Sequence, residues 1–364
     1  MNILLCGTCL PPQYETKIKD LSAAGNKYQI NLFKNLKLLG NVKILSYINI
    51  DVANLHEDIM QDCKAFSIDC VFANGNLAQG IMEYKKKLKK HLEWADVILT
   101  YNVLYPWFGL GTLAKKKDKK SVAIIADFTP PEEYKNLSRK VYAFLMAKQF
   151  RKYQKVVMLS SGVSKYLSSH NELVTVNGCI DFEKFKDFTM TPEGSSYNLA
   201  YSGLLSTVTG VDLLIDAFKL IPNPNVRLYI SGKGDLEQYV IEAAKQDRRI
   251  IYKGFLEEKE YYKMLNSAHV LINPRNMHLL QNQTNFPSKV LEYLAAGKTI
   301  VSTRFNGYEK YEENMYFTES EAEKLAECIL DVIKNYSDIA ERVYNINRNK
   351  AKTLTWENQI KLFI

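Results

Sequence analysis

The segment Asn285-Phe-Pro-Ser-Lys-Val-Leu-Glu-Tyr-Leu-Ala-Ala-Gly-Lys298 joins a helix start, a charged helix face and a glycine stop directly after an apolar strand. Pro287 near the first turn and Gly297 past the last apolar residue bracket a helix of about ten residues. Spacing of three and four places Ser288, Lys289 and Glu292 on neighbouring positions of its first turns. Free backbone N–H groups at such a start favour negative charge, and a lysine there supplies what a phosphate binds. Glu292 repels a phosphate, so it is expected to face a hydroxyl-bearing part of a ligand, such as a ribose. The combination predicts an anion site with a carboxylate behind it.

These residues need a strand before them and a sheet beneath them. Strand and helix patterns alternate from end to end, which implies parallel sheets with crossover helices. Residues 2–6 form a continuous apolar strand, 28–39 an amphipathic helix and 42–48 the next strand. Strands at 97–101 and 122–126 follow, then a helix over 137–153 and a strand at 156–159. The polar stretch 184–196, with Pro192-Glu-Gly-Ser-Ser196, reads as a linker. A second series has strands near Leu199 and at 226–230, 250–252, 270–273 and 300–302. This count predicts an α/β protein of two Rossmann-like, doubly wound parallel-sheet domains facing a central cleft, with ligands at the carboxyl ends of the strands.

A length of 364 residues suits two domains, each able to bury its own core. Hydrophobic content of 46% and charged content of 24% are ordinary for a soluble globular protein. No run of about twenty apolar residues appears, and the start, Met-Asn-Ile-Leu-Leu-Cys, lacks the parts of a signal peptide, so the expected location is the cytoplasm. Six cysteines without regular spacing argue against a disulfide framework. Cys6-Gly-Thr-Cys9 matches the spacing of a redox pair, but Pro11-Pro12 follows rather than a helix, and a strand-to-loop turn is the plainer reading. The formal charge is +8, and the runs Lys85-Lys-Lys-Leu-Lys-Lys90 and Lys115-Lys-Lys-Asp-Lys-Lys120 both fall in the first half. One reading is a solvated helix face or loop. The other is attraction to an anionic membrane surface, where each basic side chain adds about 1 kcal/mol. Nucleic acid is not an expected partner, because the runs lack interleaved aromatics and a binding module.

Around the opening segment stand, in order, Tyr201-Ser-Gly-Leu-Leu, Thr209-Gly-Val-Asp-Leu-Leu-Ile-Asp-Ala-Phe218, Ile230-Ser-Gly-Lys-Gly-Asp235, Tyr252-Lys-Gly-Phe255 and Leu271-Ile-Asn-Pro-Arg275. Together they resemble the donor half of GT-B fold glycosyltransferases of family 4, the retaining sugar-nucleotide enzymes. Asn-Pro-Arg and Phe-Pro-Ser-Lys are similar to a bacterial polysaccharide-type subgroup. The resemblance implies an acceptor-binding domain over 1–190, a donor-binding domain over 191–349 and a final helix, 350–364, that crosses back onto the first. It implies a donor site at Gly203, Gly232, Gly254, Phe255, Arg275, Phe286, Ser288, Lys289 and Glu292, with Glu292 on the donor's ribose. Three familiar contacts are absent: Leu204 and Thr209 stand where the family has a basic pair, and Thr284 where it has a first glutamate. Each charge-assisted hydrogen bond contributes about 1.5 to 3 kcal/mol, so losing two uncompensated weakens diphosphate binding by roughly two to four decades. Arg275, at a strand's carboxyl end, and Lys289, in the helix's first turn, are the expected replacements. The alternatives are a surface arginine and a lysine that merely pairs with Glu292.

On the acceptor side, Ala24-Gly-Asn-Lys27 resembles the family's glycine-containing turn, which brings Gly25 and Asn26 into the candidate site; a plain helix entry is the other reading. Asp127 follows an apolar strand, where a carboxylate can orient an acceptor hydroxyl, and Asn102 has a similar position. For Asp127 a turn or N-cap role stands equally open. His269 reads as structural, and His278, before the donor helix, as a possible ligand contact. No cluster has metal-ligand spacing, and the resemblance implies neither metal nor cofactor, only a nucleoside diphosphate sugar as substrate, with UDP-hexose the expected donor. The implied reaction is retaining transfer of a hexose to a hydroxyl of a glycan or lipid-linked acceptor in surface polysaccharide synthesis, with Arg275, Lys289 and Asp127 as catalytic candidates. The expected site of work is the cytoplasm, extending to the inner membrane face. A non-catalytic GT-B protein that binds a partner or glycan is the alternative, and a nucleotide-sugar epimerase of the same fold a third.

Overall fold

A computed structural model describes residues 1–14, 18, 21–49, 56–73, 75–167 and 171–364. The chain divides into two compact units, 1–176 with 356–364, and 177–355. In the first, strands β1 (Asn2–Gly7), β2 (Asn41–Ile48), β3 (Ile68–Phe72), β4 (Val97–Tyr101), β5 (Lys120–Ile125), β6 (Lys155–Met158) and β7 (Glu172–Thr175) form one parallel sheet in the order β3-β2-β1-β4-β5-β6-β7. In the second, β8 (Tyr197–Ser202), β9 (Val226–Ser231), β10 (Ile250–Tyr252), β11 (Val270–Asn273), β12 (Thr299–Thr303) and β13 (Tyr316–Thr318) are ordered β10-β9-β8-β11-β12-β13, again parallel. Helices cover both faces of such sheets, which is why the central strands Ile-Leu-Leu-Cys, Val-Ile-Leu and Val-Leu-Ile are unbroken apolar runs with buried side chains. The strand order reverses between β1 and β4 and between β8 and β11. Crevices at the carboxyl ends of these pairs are where doubly wound sheets take ligands.

Three differences from the sequence reading have physical causes. The first helix is Ala23–Leu36 and not 28–39, because Ser22 caps it, its hydroxyl accepting from Gly25 N at 3.2 Å. The stretch read as a linker from 184 packs into the second unit: Phe185 and Phe188 are buried in its core, and buried Lys298 donates to Thr189 O at 2.8 Å and Thr191 Oγ1 at 2.6 Å. At the other end, Trp356 rather than residue 350 begins the segment that belongs to the first unit. Its ring lies 5.4 Å from that of Tyr28, and Lys155 Nζ donates to Ile364 O at 3.1 Å.

Lys87 of the first lysine run donates to Asp69 Oδ1 at 2.8 Å, while Lys85, Lys86, Lys89 and Lys90 are exposed. His91, followed by Lys87, holds the Asp69 carboxyl down to about 2. No described helix is long and apolar enough to cross a membrane.

Candidate active site

The loops at the carboxyl ends of β8, β9 and β10 are stitched edge to edge. Gly203 N donates to Ser231 O at 3.1 Å, Leu205 N to Lys233 O at 2.9 Å, and Gly232 N to Gly254 O at 2.9 Å. Glycine is required here by contact as well as by dihedral angle. Gly232 has φ +139°, and a Cβ there would meet Gly203 O at 1.8 Å; Gly210 has φ +75°, and a Cβ would meet Pro274 O at 1.9 Å. The second approach joins the loop after β8 to the loop after β11, across the point where the strand order reverses.

Arg275 stands in that second loop. Its Nη1 donates to Asn285 O at 3.3 Å, and its own carbonyl accepts from Thr303 Oγ1 at 2.8 Å and Ser320 Oγ at 3.2 Å. The guanidinium is thereby fastened to the segment that opens the helix Lys289–Ala296. Pro287 and the left-handed Gly297, φ +69°, bound this helix as their residue types require. Arg348 Nη1 donates to Ala295 O at 2.7 Å and satisfies one of its last carbonyls.

On the first turns of this helix Lys289 Nζ lies 3.2 Å from Glu292 Oε2 and 3.1 Å from the Tyr261 hydroxyl, which donates to the same carboxylate oxygen. Tyr261 comes from the helix Glu258–Ser267. Burial first, and then the charge of Glu292, raise its phenol well above 10, so it remains a donor. Lys289 and Glu292 are half-exposed, at 40% and 35%. Ion pairs that wet contribute about 0 to 1 kcal/mol. A phosphate oxygen forms charge-assisted bonds of about 1.5 to 3 kcal/mol, which is enough to draw the lysine from Glu292.

The remaining candidates divide. Ser288 is exposed at the helix start and makes no side-chain cap bond. Phe286 turns inward, its ring 5.3 Å from Phe305, and packs the segment rather than facing outward. Phe255 is 63% exposed beside Gly254, with Lys233 Nζ 5.4 Å from its ring centroid. Lys233, between the two glycines of the loop after β9, is a cation the sequence reading passed over; its signal was its place between glycines that hold the backbone tight. Tyr261 had no such signal, being 31 residues from Glu292 in the chain. Leu204 is 56% exposed, the Thr209 hydroxyl is spent on Leu204 O at 2.5 Å and Ser206 O at 2.9 Å, and Thr284 is buried. None of the three restores a charge.

In the first unit the loop after β1 is held by the helix Ala23–Leu36. Asn26 is buried, its Oδ1 accepting from Leu10 N at 2.7 Å, and Gln29 Oε1 accepts from Thr8 N at 2.9 Å. Asn26 thus fixes the loop, and Gly25 lets the helix approach the Tyr101 hydroxyl, which a Cβ would meet at 3.3 Å. Asn102 takes φ +53°, and its Oδ1 accepts from Ala126 N at 2.9 Å, tying the ends of β4 and β5 together. Asp127 is exposed beside them, and its charge adds to burial in raising the Tyr101 phenol. Of the histidines, buried His269 accepts from Asn198 N at 3.0 Å through Nδ1 and donates to Pro192 O at 3.1 Å, while His278 is exposed.

Cys6 and Cys9 are both buried, and burial pushes each thiol up to about 12. A buried thiol held neutral is a poor nucleophile, which favours the strand-to-loop reading of the pair. In the native protein Cys179, which is partly exposed, should react first with a thiol reagent, Cys328 more slowly because burial pushes its thiol up to about 11, and the other four only on unfolding. Rapid labelling of more than two thiols would contradict this.

Residues 196–335 match the family model described as Glycosyl transferases group 1. No curated protein matches the chain by sequence. Among solved structures the chain is similar to Alr3699/HepE of Anabaena in complex with UDP, at 15% identity and TM-score 0.71, over 100% of this chain and 99% of that one; the same protein is also solved with UDP-glucose. It is similar to the sucrose-phosphate synthase of Thermosynechococcus elongatus, at 14% identity and TM-score 0.71, over 100% and 97%. It is also similar to the lipopolysaccharide outer core galactosyltransferase WaaB, at 14% identity and TM-score 0.63, over 97% and 99%. At such identities the likeness is one of fold, and that fold is GT-B. The second unit thus carries a glycosyltransferase group 1 domain over 196–335.

Proposed function

We propose that the protein transfers a hexose, with retention of configuration, from a nucleoside diphosphate sugar to a hydroxyl of a glycan or lipid-linked acceptor. The observation that carries this reading is Arg275, at the point where the strand order reverses, bonded to the segment that opens the Lys289 helix. Two cations there oppose the charge that grows on a departing diphosphate. Glu292, held by Tyr261, accepts hydrogen bonds from the ribose, and Phe255 with Lys233 offers a platform for the base. UDP-hexose is the assigned donor, since Alr3699/HepE is solved with UDP and UDP-glucose. The second unit binds the donor and the first the acceptor, with Asp127 orienting the attacking hydroxyl. WaaB, by name a lipopolysaccharide galactosyltransferase, favours surface polysaccharide as the product class. The assigned place is the cytoplasmic membrane face.

Incubation with UDP-glucose and UDP-galactose should release UDP slowly even without acceptor, because a working donor site leaks to water. Absence of release from every nucleoside diphosphate hexose tried would remove the donor assignment. Product NMR showing an inverted linkage would remove retention alone.

A further inference from the structure

One helix face in the first unit is more apolar than solvent exposure explains. The helix Leu137–Phe150 turns Ala143, Met146, Ala147 and Phe150 inward. Leu137, Val141, Phe144 and Leu145 recur at helical spacing on another face and are 42% to 74% exposed. Exposed Lys140 and Lys148 share that face by helical phase, and Lys148 Nζ lies 4.4 Å over the Phe144 ring. The apolar surface continues beyond the helix, where Phe108 stacks on Tyr142 at 6.0 Å and exposed Tyr105 lies 5.5 Å from Phe108. Gly109 N donates to Gln149 Oε1 at 2.9 Å, which fastens the helix Leu110–Lys116 alongside, with Leu113, Lys115 and Lys116 exposed.

Apolar patches rimmed by polar groups mark interaction surfaces. Here the rim is cationic: Arg139, Lys140, Lys148, Arg151 and Lys152 are all exposed on or just after the helix. The nearest carboxylates in sequence are Glu132 and Glu133 in the turn before it, and Glu132 is bonded to Tyr166. An apolar stripe between cations is the composition that binds at the headgroup boundary of an anionic bilayer. We propose that this face docks the protein on anionic phospholipid, with Phe144 and Leu145 entering the interface. The proposal deepens the membrane placement given above, yet it stands on the exposed face and needs no nucleotide.

The test is flotation of the full chain with phosphatidylcholine vesicles and with an equal mixture of phosphatidylcholine and phosphatidylglycerol. The protein should float with the mixture, and less so as salt rises. Phe144→Ser with Leu145→Ser, and separately Lys140→Glu with Lys148→Glu, should each lower the bound fraction at least roughly tenfold. Both double variants should keep the wild-type melting temperature and UDP affinity, since all four residues are exposed. Failure to float at low salt, or equal flotation of all three proteins, overturns the proposal. So does a lipid-free dimer that Phe144→Ser with Leu145→Ser dissociates, which assigns the face to a second copy. UDP binding measured on the same samples separates either failure from failure of the donor assignment.

Discussion

Alanine at Lys289 is expected to lower UDP affinity roughly 10- to 150-fold, the cost of one charge-assisted bond of about 1.5 to 3 kcal/mol, while thermal stability barely changes. The two quantities separate because the bond seen without ligand is a weak one. Lys289 pairs with Glu292 at 3.2 Å where both are half-exposed, and such pairs stabilise folds by about 0 to 1 kcal/mol. If Lys289 and Glu292 only pair with each other away from the nucleotide, loss of the lysine would leave nucleotide affinity unchanged. Tyr261→Phe is the companion variant. It removes the hydroxyl that accepts from Lys289 and donates to Glu292, and should cost less, about 1 kcal/mol. Titration of UDP into the three proteins, with melting curves on the same samples, checks both statements.

Gly210→Ala, like Gly232→Ala, should be among the most damaging single-methyl changes in the second unit. Two costs add at Gly210. A left-handed backbone costs an L-residue about 1 to 2 kcal/mol, and the Cβ would stand 1.9 Å from Pro274 O, so the loops after β8 and β11 must part. A loss of about 3 kcal/mol or more is expected, which lowers the melting temperature of a unit this size by roughly 6 to 12 °C. UDP affinity should fall as well, because Arg275 is adjacent in sequence to Pro274. Gly254→Ala isolates the dihedral cost: φ there is +65° but nothing lies within 4 Å of the Cβ position. Equal melting temperatures for the two variants would show that the contact between the loops adds nothing.

The double alternation was legible because central parallel strands, buried on both faces, must be apolar runs. Edge strands escape that demand. β7, with exposed Glu172 and Leu173, and the three-residue β13 carry no such run, and neither was foreseen. β3 was hidden for a different reason: its Asp69 interrupts the pattern and is bonded by Lys87 and His91 from a helix eighteen and twenty-two residues on. The helix Lys289–Ala296 was legible because Pro287 and Gly297 are backbone signals that act locally. The partner of its charges was not, because Tyr261 reaches Glu292 only through packing of two helices. Phe286 shows the converse, a residue inside a functional motif whose side chain serves the core. The face of the helix Leu137–Phe150 depended on packing too: Leu137, Val141, Phe144 and Leu145 are as apolar in sequence as Ala143, Met146 and Phe150, and only burial separates those turned inward from those in solvent.

The account rests on nucleoside diphosphate binding at the crossing of the β8 and β11 loops. Calorimetric titration of UDP, GDP and their hexose conjugates into wild type, Arg275→Ala and Lys289→Ala measures this most directly. The predicted result is binding of UDP and a UDP-hexose to wild type, weakened at least tenfold in each variant. Binding of no nucleotide, or binding that both substitutions leave untouched, would contradict it.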